Sequence, residues 1–220
     1  MRLDKEIIRQ IWHITNVFIK NGISIAQNFP SEKNGKICWV GFKNVSFILK
    51  NEAYDNIYKE ILVNKDFNIL MIDGGIIQLL YRFNKRKDLE EHILAFYPHP
   101  SFIKYQDVPE KYEDFLYGIE LFGDVQKGRI VTFPIRFDYS QVHNEIVHPK
   151  AHLTLGNYSS CRIPVSKPIS PYRFIKFILM NFYSNKKDKF WKVMNEFKDN
   201  INFPETITER EKEILHIHYI

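Results

Sequence analysis

Cysteine is scarce in this chain: 220 residues hold only two, Cys38 and Cys161, far apart and outside any Cys-x-x-Cys pattern. So low a count excludes a disulfide-stapled scaffold and a zinc ribbon, and fits a reducing cytoplasm. Long apolar runs are missing too. Phe67 to Ile72 and Ile76 to Tyr81 are strand-sized, well short of a membrane span. The opening residues, including Arg2, Asp4, Lys5 and Glu6, lack the apolar stretch of a secretory signal. The expectation is a soluble cytoplasmic protein with no membrane partner. No Gly-x-x-x-x-Gly-Lys loop occurs, so nothing points to a P-loop nucleotide site, and Asp73-Gly74-Gly75 reads as a turn. Internal repeats and low-complexity segments are absent as well.

Apolar, aromatic and basic residues are plentiful. At 45% hydrophobic the chain can bury a full core. Aromatics reach 15%, with 18 Phe and 12 Tyr, first read as core rings and second as base-stacking platforms. The formal net charge of +5 is compatible with a polyanionic partner without requiring one. Basic residues bunch at Lys85, Arg86, Lys87 and at Lys186, Lys187, Lys189. These are the candidate nucleic-acid contacts, although short basic runs also suit exposed turns.

Periodicity predicts an amphipathic helix from Leu3 to Asn21, with Ile7, Ile11, Ile14 and Phe18 on one stripe and Gly22 as its C-terminal cap. A polar, turn-rich connection follows from Asn28 to Gly35. Strands are expected over Lys36 to Phe42 and Val45 to Lys50, and a short helix over Glu52 to Lys65. Phe67 to Ile72 and Ile76 to Phe83 form a hairpin around Gly74-Gly75. Leu89 to Tyr97 fits a strand, and its spacing also fits a helix. A short helix is read over Pro109 to Phe122, then a turn at Lys127-Gly128 and a strand from Arg129 to Tyr139. His152 to Leu155 is another strand. From about residue 168 to 220 the chain reads as helical: Ser170 caps, Pro171 suits the first turn, Lys189 to Lys198 continues, and Thr208 with Glu211 makes a capping box. The fold class expected is α+β: one domain over 1–220, an antiparallel sheet with N-terminal and C-terminal helices packed on it.

The segment from Arg136 to Arg162 is dense in groups that carry chemistry. Arg136 and Asp138 share one face of a strand, as do His152 and Thr154 on theirs, and His143, Glu145 and His148 lie between them. Imidazoles with carboxylates suit zinc, manganese or iron, yet no His-Glu-x-x-His framework is present, so no metal is assigned. Hydrogen bonding of the histidines to Asp138, Glu145 and the backbone is the plainer reading. His152-Leu-Thr154 looks like half of the paired His-x-Thr signature of two-histidine phosphoesterases, but the other copy, His13-Ile14-Thr15, falls on a helix. A metal-free ribonuclease needs a base, an acid and a cation, roles open to His148, His152 and Arg136 or Arg162. Cys161 has no identifiable oriented base and reads as a half-buried thiol.

His148-Pro149-Lys-Ala-His152-Leu-Thr154-Leu-Gly156, then Cys161-Arg162-Ile-Pro164-Val-Ser166 and Pro171 to Tyr183, resemble the bacterial family of domain of unknown function 2290. Arg136-Phe137-Asp138-Tyr139 fits the same pattern upstream, as does Leu94 to Pro98 less specifically. The resemblance covers nearly the whole chain and implies a single domain in prokaryotic genomes, often in mobile-element or defence neighbourhoods. It carries no catalytic residues over.

The functional expectation is an accessory module of a multi-component system, such as anti-phage defence. It would bind DNA or RNA, or a protein partner encoded nearby, and use no cofactor. The alternative is a small metal-independent nuclease or toxin-like ribonuclease using His148 and His152, with Arg136, Asp138 and Thr154 completing the site.

Overall fold

A computed structural model describes residues 2–43, 52–100, 133–156, 158, 160–183 and 187–219, with backbone alone at 187–191. Among these residues, nine strands form one sheet: β1 (Ser24–Gln27), β2 (Pro30–Lys33), β3 (Lys36–Trp39), β4 (Ile69–Met71), β5 (Ile76–Phe83), β6 (Leu89–Tyr97), β7 (Ile135–Ser140), β8 (Ala151–Leu155) and β9 (Ile163–Pro164). The order runs β1-β4-β5-β6-β7-β8-β9, with the β2–β3 hairpin joined to β5, and each of these strand pairs is antiparallel. The described helices are α1 (Leu3–Lys20), α2 (Tyr54–Val63), α3 (Pro171–Phe182), α4 (Lys187–Glu196) and α5 (Glu209–Lys212). The α+β class is as the sequence predicts. The strand at 45–50, the helix at 109–122, the turn at 127–128 and the strand from 129 to 132 lie outside the described residues.

Cross-strand partners in an antiparallel sheet share a face, so the register divides the sheet cleanly. One face carries the rows Ile77–Phe96–Ile135–Leu155, Leu79–Leu94–Phe137–Leu153 and Tyr81–His92–Tyr139–Ala151. These pack beneath Ile7, Ile11, Ile14 and Phe18 of α1 and Phe174, Ile175 and Ile178 of α3, forming the main core. Among the described residues, the opposite face is covered only in part. Helix α2 lays Ile57, Tyr58 and Ile61 on Leu70, Ile76, Ala95 and Tyr97, and a small cluster joins Cys38, Trp39, Leu80 and Ile93.

Local chemistry ends the helices where expected. After α1, Gly22 takes φ +60°, its N–H reaches Ile19 O, and the Ile23 N–H reaches Phe18 O, a Schellman closure. The Ser170 hydroxyl accepts from the Arg173 N–H at 3.2 Å, and Thr208 and Glu211 complete a reciprocal capping box.

The connection expected over Asn28 to Gly35 instead holds β2. Asn34 (φ +52°) and Gly35 (φ +76°) make the two-residue turn that closes β2 onto β3, an Asn-Gly hairpin signal flanked by strands too short to show alternation. Glycine is required there, because a Cβ would lie 2.5 Å from Phe83 O. The C-terminal part, read as separate helices from about residue 168, also contains extended chain between and after them, and Val165 and Ile217 form a parallel bridge along the sheet edge.

His92 is a buried titratable group of the main core. Its Nε2 accepts from the Ile169 N–H at 3.1 Å, and its ring lies between Tyr81 and Tyr139. Burial pushes its pKa from 6.5 down to about 3. Below pH 6.5 the unfolded chain takes up a proton that folded His92 refuses, so stability falls with pH by about 1.4 kcal/mol per pH unit until about pH 3. Urea unfolding followed between about pH 7 and pH 5, above the carboxylate range, should show such a fall, and His92→Gln should make it shallower. An unchanged slope in the variant would assign the dependence elsewhere.

Candidate functional site

On the partly covered face, apolar side chains give way to polar ones beyond β6. The row Leu80–Ile93–Asp138–His152–Pro164 crosses five strands, and Gln78–Ala95–Arg136–Thr154 runs beside it. Asp138 therefore sits opposite His152, and Arg136 opposite Thr154. Two alternate-residue pairs separated by some fourteen residues in sequence become one patch (152 − 138 = 14).

The patch floors an open cleft of about 530 Å³, whose rim adds Glu91, Ser140, His143, His148 and Arg162. Arg136 Nε donates to Asp138 Oδ2 at 2.7 Å. The same oxygen lies 3.5 Å from His152 Nε2, while Asp138 Oδ1 is buried without a hydrogen-bond partner among the described residues. His152 Nδ1 lies 3.0 Å from the Pro149 carbonyl, which can only accept, so Nδ1 carries the proton. In the neutral ring Nε2 then presents its lone pair toward Asp138 and the cleft. Burial chiefly lowers the His152 pKa, against the opposing pull of Asp138, with His148 and Arg136 also lowering it. His152 is thus a neutral base beside a cation, an arrangement suited to accepting a proton near a bound anion.

The connection at 141–150 closes the cleft by a tight bend in which Asn144 and His148 exchange both backbone hydrogen bonds. His148 comes edge-on to His152, ring centroids 5.0 Å apart. Ile146 is held in the left-handed region at φ +67°, unusual for a β-branched residue. Its N–H donates to Glu211 Oε1 at 3.4 Å, and Arg210 donates to Glu145 at 3.2 Å, so α5 clamps the bend from outside.

Of the sequence candidates, Arg136, Asp138, His148 and His152 meet in the cleft; Thr154 shares their face and is buried, but does not line it. Lys85 and Arg86 stand exposed on the β5–β6 turn. Lys87 is turned back: its ammonium lies 3.0 Å from Glu32 and 3.4 Å from Asp4, tying the turn to α1 and β2. Lys187 and Lys189 lie on α4, and Lys186 lies outside the described residues. His13 is on α1, its Nδ1 2.6 Å from Tyr172 OH in the main core, on the other side of the sheet from His152. The two-histidine phosphoesterase arrangement is thereby excluded. Among the described residues, no group of three His, Cys, Asp or Glu is placed to hold a metal ion. Glu91 and Ser140 join the cleft without any signal in the sequence; only pairing across β6 and β7 brings them there.

Removing one partner of the Arg136–Asp138 pair strands the other in a largely buried setting. Asp138→Ala should cost about 1–3 kcal/mol by urea unfolding. Nitrogen-detected NMR at pH 7 should find His152 as the neutral Nδ1–H tautomer, protonating below its ordinary value; an Nε2–H ring would overturn the base assignment. No helix among the described residues is long and apolar enough to cross a membrane. No curated protein and no solved structure matches the chain. The model of one family, described as "Uncharacterized conserved protein (DUF2290)", matches residues 23–219, and the chain belongs to that family.

Proposed function

We propose that this chain is a nucleic-acid-binding module whose cleft seats a phosphate of the strand it holds. The carrying observation is the convergence of Arg136, Arg162, His148 and His152 on one open cleft, in a sheet face that the described residues cover only in part. Guanidinium groups suit phosphate because their planar N–H donors match its oxygens, and imidazoles add further donors. Among the described cleft-lining residues only Asp138 and Glu91 oppose them, and each already faces an arginine. The overall charge of +5 favours encounter with a polyanion. In this reading the module works in the bacterial cytoplasm as an accessory component, alongside a partner protein encoded nearby.

Fluorescence anisotropy with labelled oligonucleotides tests the binding. Arg136→Gln with Arg162→Gln should abolish association, and the wild-type affinity should fall linearly in log–log form as salt rises. Wild-type protein that binds neither RNA nor DNA removes the proposal.

A second reading, metal-independent ribonuclease activity, is favoured by the Nε2 lone pair of His152. That nitrogen would take the proton of an RNA 2′-hydroxyl as its oxygen bonds to phosphorus. The bond from phosphorus to the 5′ oxygen breaks, and His148 supplies a proton to the departing oxygen. The products are a 2′,3′-cyclic phosphate and a 5′-hydroxyl, with Arg136 stabilising the pentacoordinate charge. RNA incubated with the protein and a chelator should yield these ends, and His152→Ala should stop the reaction with its melting curve retained. Binding without any cleavage leaves the module reading alone.

A further inference from the structure

A third polar row lies beside the cleft, made of residues scattered over more than a hundred positions of sequence. Lys36 pairs with Arg82, Arg82 with Glu91 and Glu91 with Ser140, while the Ser140 N–H donates to Lys150 O at 2.8 Å. All five sit on the cleft side of the sheet, one on each of successive strands and at the entry to β8. At about 4.8 Å between neighbouring strands, the row extends roughly 19 Å. Its first cation is held in place, with Lys36 Nζ 3.7 Å above the Phe42 ring. Its second is exposed and spends its charge on Glu91, whose Oε2 lies 3.1 Å away and is itself buried. Glu91 and Ser140 also belong to the cleft rim, so the row and the cleft are continuous.

We infer that this row is a backbone track for a single-stranded nucleic acid, with Lys36, Arg82 and Lys150 engaging successive phosphates on the way into the cleft. The inference rests on the nucleic-acid reading of the cleft and adds the kind of strand and its path. The track is longer than a small anion needs, which argues for a polymer. The cleft has the volume of a drug-sized molecule, so one nucleotide of a single strand enters it and a duplex does not. Glu91 is the one carboxylate in the row, and it sets the strength of the track: bound to Arg82 it cancels a cation, and facing phosphate it repels.

The test compares fluorescein-labelled oligo(U) of about 4 and about 16 nucleotides, lengths that bracket ordinary single-strand sites. The longer probe should bind several-fold more tightly to the wild type. Changing Lys36, Arg82 and Lys150 together to Gln should remove that advantage and reduce the log–log salt slope by about 0.7 for each phosphate no longer neutralised. Short-probe affinity should fall far less, by only what Glu91 at the rim repels once released from Arg82. Glu91→Gln should strengthen binding of the long probe, an outcome that a folding defect does not produce. If both probes bind alike and the triple change has no effect, the track is wrong while the cleft reading stands. If the wild type binds neither probe, the cleft reading itself falls. A duplex of equal length binding as tightly, or polyglutamate displacing the probe as readily as unlabelled oligo(U), overturns the single-strand assignment.

Discussion

Everything at the cleft depends on the register of β6, β7 and β8. Strand side chains alternate between faces, so a slip of one residue would carry Arg136, Asp138 and His152 into the core under α3 and expel Phe137 and Leu153. Burying those charges without partners would cost far more than a surface rearrangement. The main core therefore acts as the reference against which the polar face is aligned. Phe137 meets Phe174 and Phe177 edge-on, and Tyr81 donates to Ile169 O at 2.8 Å, fixing sheet and helix together. The polar face needs no strong interaction of its own to stay ordered.

A second set of interactions works from outside the sheet. The chain after α4 returns along the β9 edge: the Ser166 N–H donates to Ile217 O, the Ile217 N–H to Pro164 O, and the Thr206 N–H to Ser166 O. This covers an edge strand only two residues long, which would otherwise present unpaired backbone. Glu211, nearly fully buried, serves both ends of the arrangement. One oxygen accepts the Thr208 N–H of the capping box and the other the Ile146 N–H of the site bend.

What could be read from the sequence was local. Ser170-Pro171 and Thr208 with Glu211 state helix starts in four residues, and they hold because a cap depends on its own backbone. The alternation in Ile135 to Ser140 likewise tells which side chains go together on one strand. It could not say that Asp138 faces His152, because that follows from the path of the chain through 141–150. Lys87 looks like its neighbours Lys85 and Arg86, and only the approach of Asp4 and Glu32, from the far end of the sequence, separates it from them. Lys36, Arg82 and Lys150 carry no signal at all, since each is a single cation, two of them in ordinary strands and the third in the bend before β8. Strand β2 escapes because four residues are too few to display a period, although Asn34-Gly35 marks its turn.

The clamp on Ile146 has a consequence for the order in which the protein acquires its parts. During synthesis the bend at 142–148 leaves the ribosome some sixty residues ahead of Glu211 and Arg210 (211 − 148 = 63). The strands and α3 can assemble in that interval, since domains begin folding as they emerge. A β-branched residue at positive φ has no local reason to settle there, so the bend waits for its carboxylate. Until Glu211 and Arg210 arrive, Ile146 and Glu145 lack the partners that hold them, so this part of the rim is the last to acquire its contacts.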